Sequence, residues 1–242
     1  MRSSDRTSGD AAPSPGEEAQ PTVGPGHGLS DGGRRVAAAT LVASLLVLAA
    51  GAWAVGDGDP LPGEVGAVET WNAVPAAVGW PLRAVMQLGT LWAGLLAVAA
   101  SAWWCRRAGM RAPAALFLSV AVAFRLDNVL KDLIERPRPY DRLPDLVARD
   151  HVGGFAYPSG HTTMAVAIVA APHPVLPRPA RAVAWALATL VAVARLHVGA
   201  HWPLDLVGGA ALGTAIAAAA WLVVDRLPRG WFALPDRPER DR

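Results

Sequence analysis

The sequence predicts an all-α fold, a six-transmembrane-helix bundle behind a disordered N-terminal tail. Hydrophobic residues make up 52% of the 242 residues and mean hydropathy is +0.28. The apolar residues are gathered into long runs, as in a membrane protein, where a soluble globule would spread them. Arginines, in turn, cluster in alternate gaps between those runs, the pattern of a chain threaded through a bilayer.

Residues 1–33 are rich in Gly, Pro, Ser, Asp and Glu and hold almost nothing to bury, so they read as a disordered cytoplasmic tail. After Arg34 and Arg35, Val36–Val55 gives an apolar run of roughly 20 residues, enough to cross about 30 Å of hydrocarbon as a helix. Ala52-Trp53-Ala54 has the spelling of a leader cleavage site, but the long apolar stretch and long polar lead fit a retained helix. Leu61 to Trp80 is interrupted by Pro, Gly and Glu and reads as a partly helical segment lying at the interface. Five further spans are expected at Val85–Trp104, Ala112–Leu130, Thr162–Leu176, Ala180–Leu196 and Leu206–Val224. The Thr162 and Ala180 runs are short, only about 23 to 26 Å at 1.5 Å per residue, so their outer ends should sit slightly below the membrane surface. Residues 34–228 thus form the membrane domain and 229–242 a short cytoplasmic C-terminal tail.

Arg34 and Arg35, then Arg106, Arg107 and Arg111, then Arg178 and Arg181, and finally Arg226 and Arg229 all fall on one side of the predicted membrane. Asp57, Asp59, Glu64 and Glu69 occupy the first loop of the other side. Excess cations mark the cytoplasmic side, which puts both termini there, in the cell membrane of the host. Net charge is only +2, and no continuous basic face exists to follow a phosphodiester backbone, so nucleic acid is excluded as a partner. The single cysteine, Cys105, allows neither a disulfide nor a thiolate metal cluster from this chain alone.

Three blocks interrupt the apolar pattern, and all fall at the extracytoplasmic ends of the predicted spans. Lys131, the only lysine, stands seven residues before Arg138-Pro139; Pro158-Ser159-Gly160-His161 opens the fourth span; Arg195, His201 and Asp205 join the fifth to the sixth. This set resembles the signature of the type 2 phosphatidic acid phosphatase family, membrane lipid phosphate phosphatases whose catalytic fold is shared with soluble acid phosphatases and vanadium haloperoxidases. The resemblance implies an outer-face active site in which Lys131, Arg138 and Arg195 bind phosphate, with Ser159 and Gly160 as further contacts. It also implies His161 as general acid, His201 as nucleophile and Asp205 as the partner that orients it, with neither metal nor cofactor. The family usually has serine where Ala194 stands, so one hydrogen bond at the site is expected to be absent.

The residues read the same way from their chemistry. A phosphoryl group in transfer spreads negative charge over its equatorial oxygens and needs preset cations. Glycine beside free amides at a helix start lets backbone approach an anion. Asp205 four residues after His201 can hold one ring nitrogen while the other faces phosphorus, and His161 must carry the proton that His201 lacks. Arg136-Pro137 competes with Arg138-Pro139, but the spacing from Lys131 favours Arg138. His197 and His201 could form a metal pair, yet no third ligand is evident. His151 reads as a loop residue, and His173 lies on the cytoplasmic side, away from the chemistry. Asp127 is expected to pair with Lys131, Arg125 and Asn128 have no assigned role, and Gly209 and Gly213 are expected to let the last helix pack closely. The expected activity is hydrolysis of a membrane lipid phosphate, such as a polyprenyl diphosphate, phosphatidate or phosphatidylglycerol phosphate. Phosphoryl transfer to a hydroxyl acceptor and a non-catalytic lipid-binding or transport role are the alternatives.

Overall fold

The computed structural model describes residues 28–106, 109–150 and 153–232, and all regular structure among them is helical. The predicted tails therefore lie largely outside the described residues, as do Arg107 and His151. The helices are α1 (Asp31–Ala54), α2 (Glu64–Asn72), α3 (Ala76–Met86), α4 (Leu91–Cys105), α5 (Arg111–Ile134), α6 (Pro139–Arg142), α7 (Gly160–Ala170), α8 (Arg178–His197) and α9 (Pro203–Arg226).

Four segments are long and apolar enough to cross a membrane: α1, the stretch from Arg111 to Arg142, α8 and α9. The expected second span is divided. Helix α3 leads through a 3-10 turn at Gln87–Gly89 into α4, and the two are bent by 62°. Gly89 lies so close to His161 that a Cβ there would stand 2.6 Å from its carbonyl oxygen, and Thr90 restarts the helix by accepting from Ala93 N at 3.4 Å. The expected fourth span is α7, whose 11 residues rise only about 16 Å.

Local chemistry sets the boundaries. The Ser30 hydroxyl accepts from Gly33 N at 3.0 Å and starts α1 at Asp31, upstream of the expected Val36. Helix α5 stops at Glu135, which takes a left-handed φ of 53° ahead of Pro137. Pro203 occupies the first position of α9, where its missing N–H costs nothing, and the Asp205 carboxylate accepts from Trp202 N at 2.7 Å.

Helix α9 is the axis of the bundle, packed by α1, α5 and α7. Gly209 and Gly213 face α7, where a Cβ would stand 2.6 Å from Ser159 O and 2.5 Å from Thr163 O respectively. Tyr157 fills the corresponding gap on the α1 side, its hydroxyl donating to Leu48 O at 2.8 Å while its ring lies against Gly51 and Gly208. Leu116 and Val120 of α5, Met164 of α7, and Leu212 and Ile216 of α9 fill the core between these helices. At the other end, buried Arg111 and half-exposed Arg34 hold Asp225 at 3.6 and 3.2 Å. This packing fixes the ends of α5, α8, α7 and α9 at one level, and the three sequence blocks sit there.

Candidate active site

Helix α5 carries Lys131 one turn from its end, where its Nζ meets Asp127 Oδ2 at 2.8 Å. Gly160, the first residue of α7, is pressed onto this pair: a Cβ there would lie 2.3 Å from Asp127 Oδ2 and 3.0 Å from Lys131 Nζ. Only glycine lets the amino end of α7 approach the ammonium so closely. Ser159 is fully buried, takes the Thr162 hydroxyl on its Oγ at 3.1 Å, and donates its backbone N–H to Asp205 O at 2.9 Å. The second block is thereby tied to the third.

Arg138 follows the end of α5 and is 1% exposed. Its Nε donates to Gly154 O at 2.9 Å, Nη2 to Gly153 O at 3.2 Å and Nη1 to Ala200 O at 2.9 Å. With its direction set, Nη1 also stands 3.3 Å from His201 Nε2. A guanidinium has donors only, so Nε2 is the acceptor and the ring proton belongs on Nδ1. Nδ1 faces Asp205 Oδ2 at 3.5 Å, an ion-pair distance without a directed hydrogen bond. Burial, followed by the charges of Arg195, Arg138, Lys131 and His161, holds the His201 imidazolium well below the usual histidine range. The charges of four residues from separate segments thus act on one imidazole, which is 2% exposed.

Arg195 is fully buried at the end of α8. Its Nη1 donates to Asp150 Oδ2 at 2.6 Å and contacts Met86 Sδ at 2.9 Å, while Nε and Nη2 have no hydrogen-bond partner among the described residues. Buried guanidinium donors are costly to leave unmet, and this pair is available to an anion. Ala194 beside it packs among Met86, Val198 and Ala200, so the departure from the family pattern is an apolar contact in this protein.

Asp205 is held on both oxygens, Oδ2 by Trp202 N at 2.7 Å and Oδ1 by Arg136 Nη1 at 2.7 Å. Arg136 is the arginine that spacing set aside, and it is completely buried. Its Nη2 pairs with Glu64 of α2, and Glu64 Oε1 accepts from Leu204 N at 2.9 Å. Glu64, Arg136 and Asp150 are the residues that sequence reasoning missed. The one available signal was the Arg136-Pro137 duplication; the reach of Glu64 across 140 positions leaves no local trace. His197, also completely buried, sets its Nδ1 3.1 Å from Trp71 O and packs against Gly79, apart from His201. His173 lies at the opposite end, where its Nδ1 accepts from Trp185 Nε1 at 3.1 Å.

This geometry has relatives. The chain is 35% identical over 128 residues to lipid A 1-phosphatase of Rhizobium etli, an alignment covering 48% of this chain and 55% of that protein. It is 32% identical over 107 residues to undecaprenyl-diphosphatase of Sulfolobus acidocaldarius, covering 42% of this chain and 50% of that one. The chain therefore spans about half the length of the curated relatives it matches. Its fold superposes with a TM-score of 0.60 on the crystal structure of a transmembrane PAP2 type phosphatidylglycerolphosphate phosphatase from Bacillus subtilis, at 20% identity over 76% of this chain and 94% of the other. Residues 112–229, which run from the start of α5 past the end of α9 and contain all three blocks, match the PAP2 superfamily.

Proposed function

We propose that the chain is an integral-membrane lipid phosphatase that hydrolyses a phosphomonoester or diphosphate through a phosphohistidine formed on His201. The observation that carries this reading is buried His201 with its Nε2 3.3 Å from Arg138 Nη1 and its Nδ1 facing Asp205, beside a buried Arg195 whose Nε and Nη2 have no hydrogen-bond partner among the described residues. A phosphate seated among Lys131, Arg138 and Arg195, with Ser159 and Gly160 at the start of α7, takes over the Arg138 donor and frees the lone pair of Nε2. That lone pair attacks phosphorus, the bond to the leaving oxygen breaks, and His161, which takes up a proton when the anionic phosphate is seated beside it, gives that proton to the leaving oxygen. Asp205 offsets the positive charge the His201 ring acquires. Water then attacks phosphorus, passes a proton to His161, and releases inorganic phosphate and neutral His201. No step uses a metal.

The names of the relatives support a lipid substrate, since they act on lipid A, undecaprenyl diphosphate and phosphatidylglycerol phosphate. Their common element is a phosphate at the head of a membrane anchor. Of the candidates, a polyprenyl diphosphate fits best with a site that faces outward, where a carrier has delivered its cargo. In this reading the bundle has six membrane-crossing segments, α7 being the short one and α3 with α4 a bent one, and both termini are cytoplasmic.

The test is phosphate release by purified protein in detergent from several lipid phosphates, beside His201→Ala. The variant should be slower by at least ~10³-fold, the scale on which loss of a nucleophile acts, and acid quenching of the parent should trap labelled phosphohistidine. Equal rates for parent and variant would refute the assignment of His201. Activity abolished by chelator and restored by magnesium would refute the metal-free route.

A further inference from the structure

Helix α7 ends at Ala170 after 11 residues, whereas neighbouring α8 runs for 20. At 1.5 Å per residue the shortfall is about 13 Å, and the chain crosses it by turning through a 3-10 segment at His173–Val175. Where a full-length helix would have passed, at the end of the bundle remote from His161 and His201, a crevice of about 640 Å³ remains between α1, α8 and α9. That volume falls within the roughly 300–1,000 Å³ of sites that hold small amphiphiles.

The crevice is graded in polarity. Its floor is small and apolar, formed by Ala217, Ala218 and Trp221 of α9, and Val36 and Ala37 of α1 form one wall. The indole N–H of Trp185 in the opposite wall is spent on His173 Nδ1, so it asks nothing of an occupant. Arg181 stands among the lining residues from the first turn of α8, its Nε fixed to Leu176 O at 2.7 Å, and among the described residues the other four guanidinium N–H donors are left for a ligand. The nearby carboxylates do not oppose an anion. Asp31 and Asp225 both pair with Arg34, at 3.5 and 3.2 Å, and Asp225 also meets Arg111 at 3.6 Å.

In a bilayer an apolar cleft of this kind fills with hydrocarbon, and a cation beside it selects which lipid supplies it. We propose that this crevice binds one anionic phospholipid, its phosphate on Arg181 and one acyl chain laid over Ala217, Ala218 and Trp221. The site is independent of the proposed chemistry and lies at the other end of the molecule. It gives the protein a structural lipid that replaces the missing part of α7.

Native mass spectrometry of full-length protein released from nanodiscs of phosphatidylglycerol and phosphatidylcholine tests this. The parent should retain one phosphatidylglycerol in preference to phosphatidylcholine, and His201→Ala should retain it equally. Arg181→Gln should lose the preference by about tenfold, as removal of one charge-assisted contact of ~1.4 kcal/mol implies. Ala37→Phe, which fills the cleft, should lose the bound lipid altogether. Should Ala37→Phe fail to fold, Arg181→Gln decides alone, because the guanidinium's one hydrogen bond among the described residues is to Leu176 O. Retention of phosphatidylcholine as strongly as phosphatidylglycerol by the parent, or an unchanged preference in Arg181→Gln, would overturn the proposal. Loss of the bound lipid in His201→Ala would also do so, by moving it to the histidine end.

Discussion

At the scale of single residues, the site is a chain of buried charges, and each link has a measurable role. Glu64 neutralises Arg136, Arg136 holds Asp205 Oδ1, and Asp205 faces His201. Removing one member of a buried pair strands its partner, so Glu64→Ala should cost about 3–5 kcal/mol of stability. The double variant Glu64→Leu with Arg136→Leu removes the stranded cation but leaves buried Asp205 without its Arg136 partner, so it should recover only part of that loss. It should still hydrolyse slowly, because Asp205 then lacks a fixed position; full recovery of rate as well as stability would show that the pair has no positioning role. A pH effect follows from His201, whose folded-state pKa is depressed by burial and by Arg195, Arg138 and Lys131. Its unfolded value is about 6.5, so above that pH both states are neutral and the contribution is complete, while below it the unfolded state takes up the proton first. The melting temperature should therefore fall as pH drops from about 7 toward the folded pKa, and His201→Gln should flatten that slope; an identical slope would disprove it. The legible residues were those of fixed spacing, such as Lys131, His161 and Asp205. Glu64 and Asp150 were not legible, since what makes them matter is a partner far along the chain, Arg136 and Arg195 respectively.

At the scale of elements, hydropathy located α1, α5, α8 and α9 because each is a helix of 20 or more residues built around a long apolar run. It could not locate the break between α3 and α4, which arises where Gly89 meets the carbonyl of His161. It also overstated the fourth span, whose apolar letters continue past Ala170 through Pro172 and Pro174 into a turn. The glycines of α9 mattered as expected, for contact with α7. Gly213→Ala would set a Cβ 2.5 Å from Thr163 O, a backbone atom, and Gly209→Ala 2.6 Å from Ser159 O. Overpacking of that kind costs about 1–3 kcal/mol, and here it also pushes Ser159 and His161 away from Asp205. Both variants should melt earlier and release phosphate more slowly. Gly66→Ala in α2 is the control, because a Cβ there meets nothing within 4 Å and should stabilise by about 0.5–1 kcal/mol. If all three behaved alike in melting and rate, close packing of α7 on α9 would not be what holds the second block in place.

For the whole molecule, the issue is which way the bundle sits in the bilayer. The two ends differ in chemistry. Exposed Trp53, Trp71 and Trp80 surround the histidine end, and exposed Trp103, Trp104 and Trp231 mark the other, an arrangement expected of two interfacial belts. Arg34, Arg111 and Arg181 gather at the end away from the histidines, and the cation excess on short loops sets orientation. The tryptophans mark both interfaces without telling them apart, whereas the cation excess supports the proposed orientation with the histidines outward, where a lipid carrier emptied of its cargo would present its phosphates. Cysteine labelling decides this in intact cells, starting from Cys105→Ser to remove the native thiol. Asp145→Cys, in the exposed segment after α6, should react with a membrane-impermeant maleimide added outside. Arg226→Cys, exposed at the end of α9, should react only after the cells are permeabilised. The opposite pattern would turn the catalytic end toward the cytoplasm, and the substrate would then have to be a lipid phosphate made on the inner leaflet.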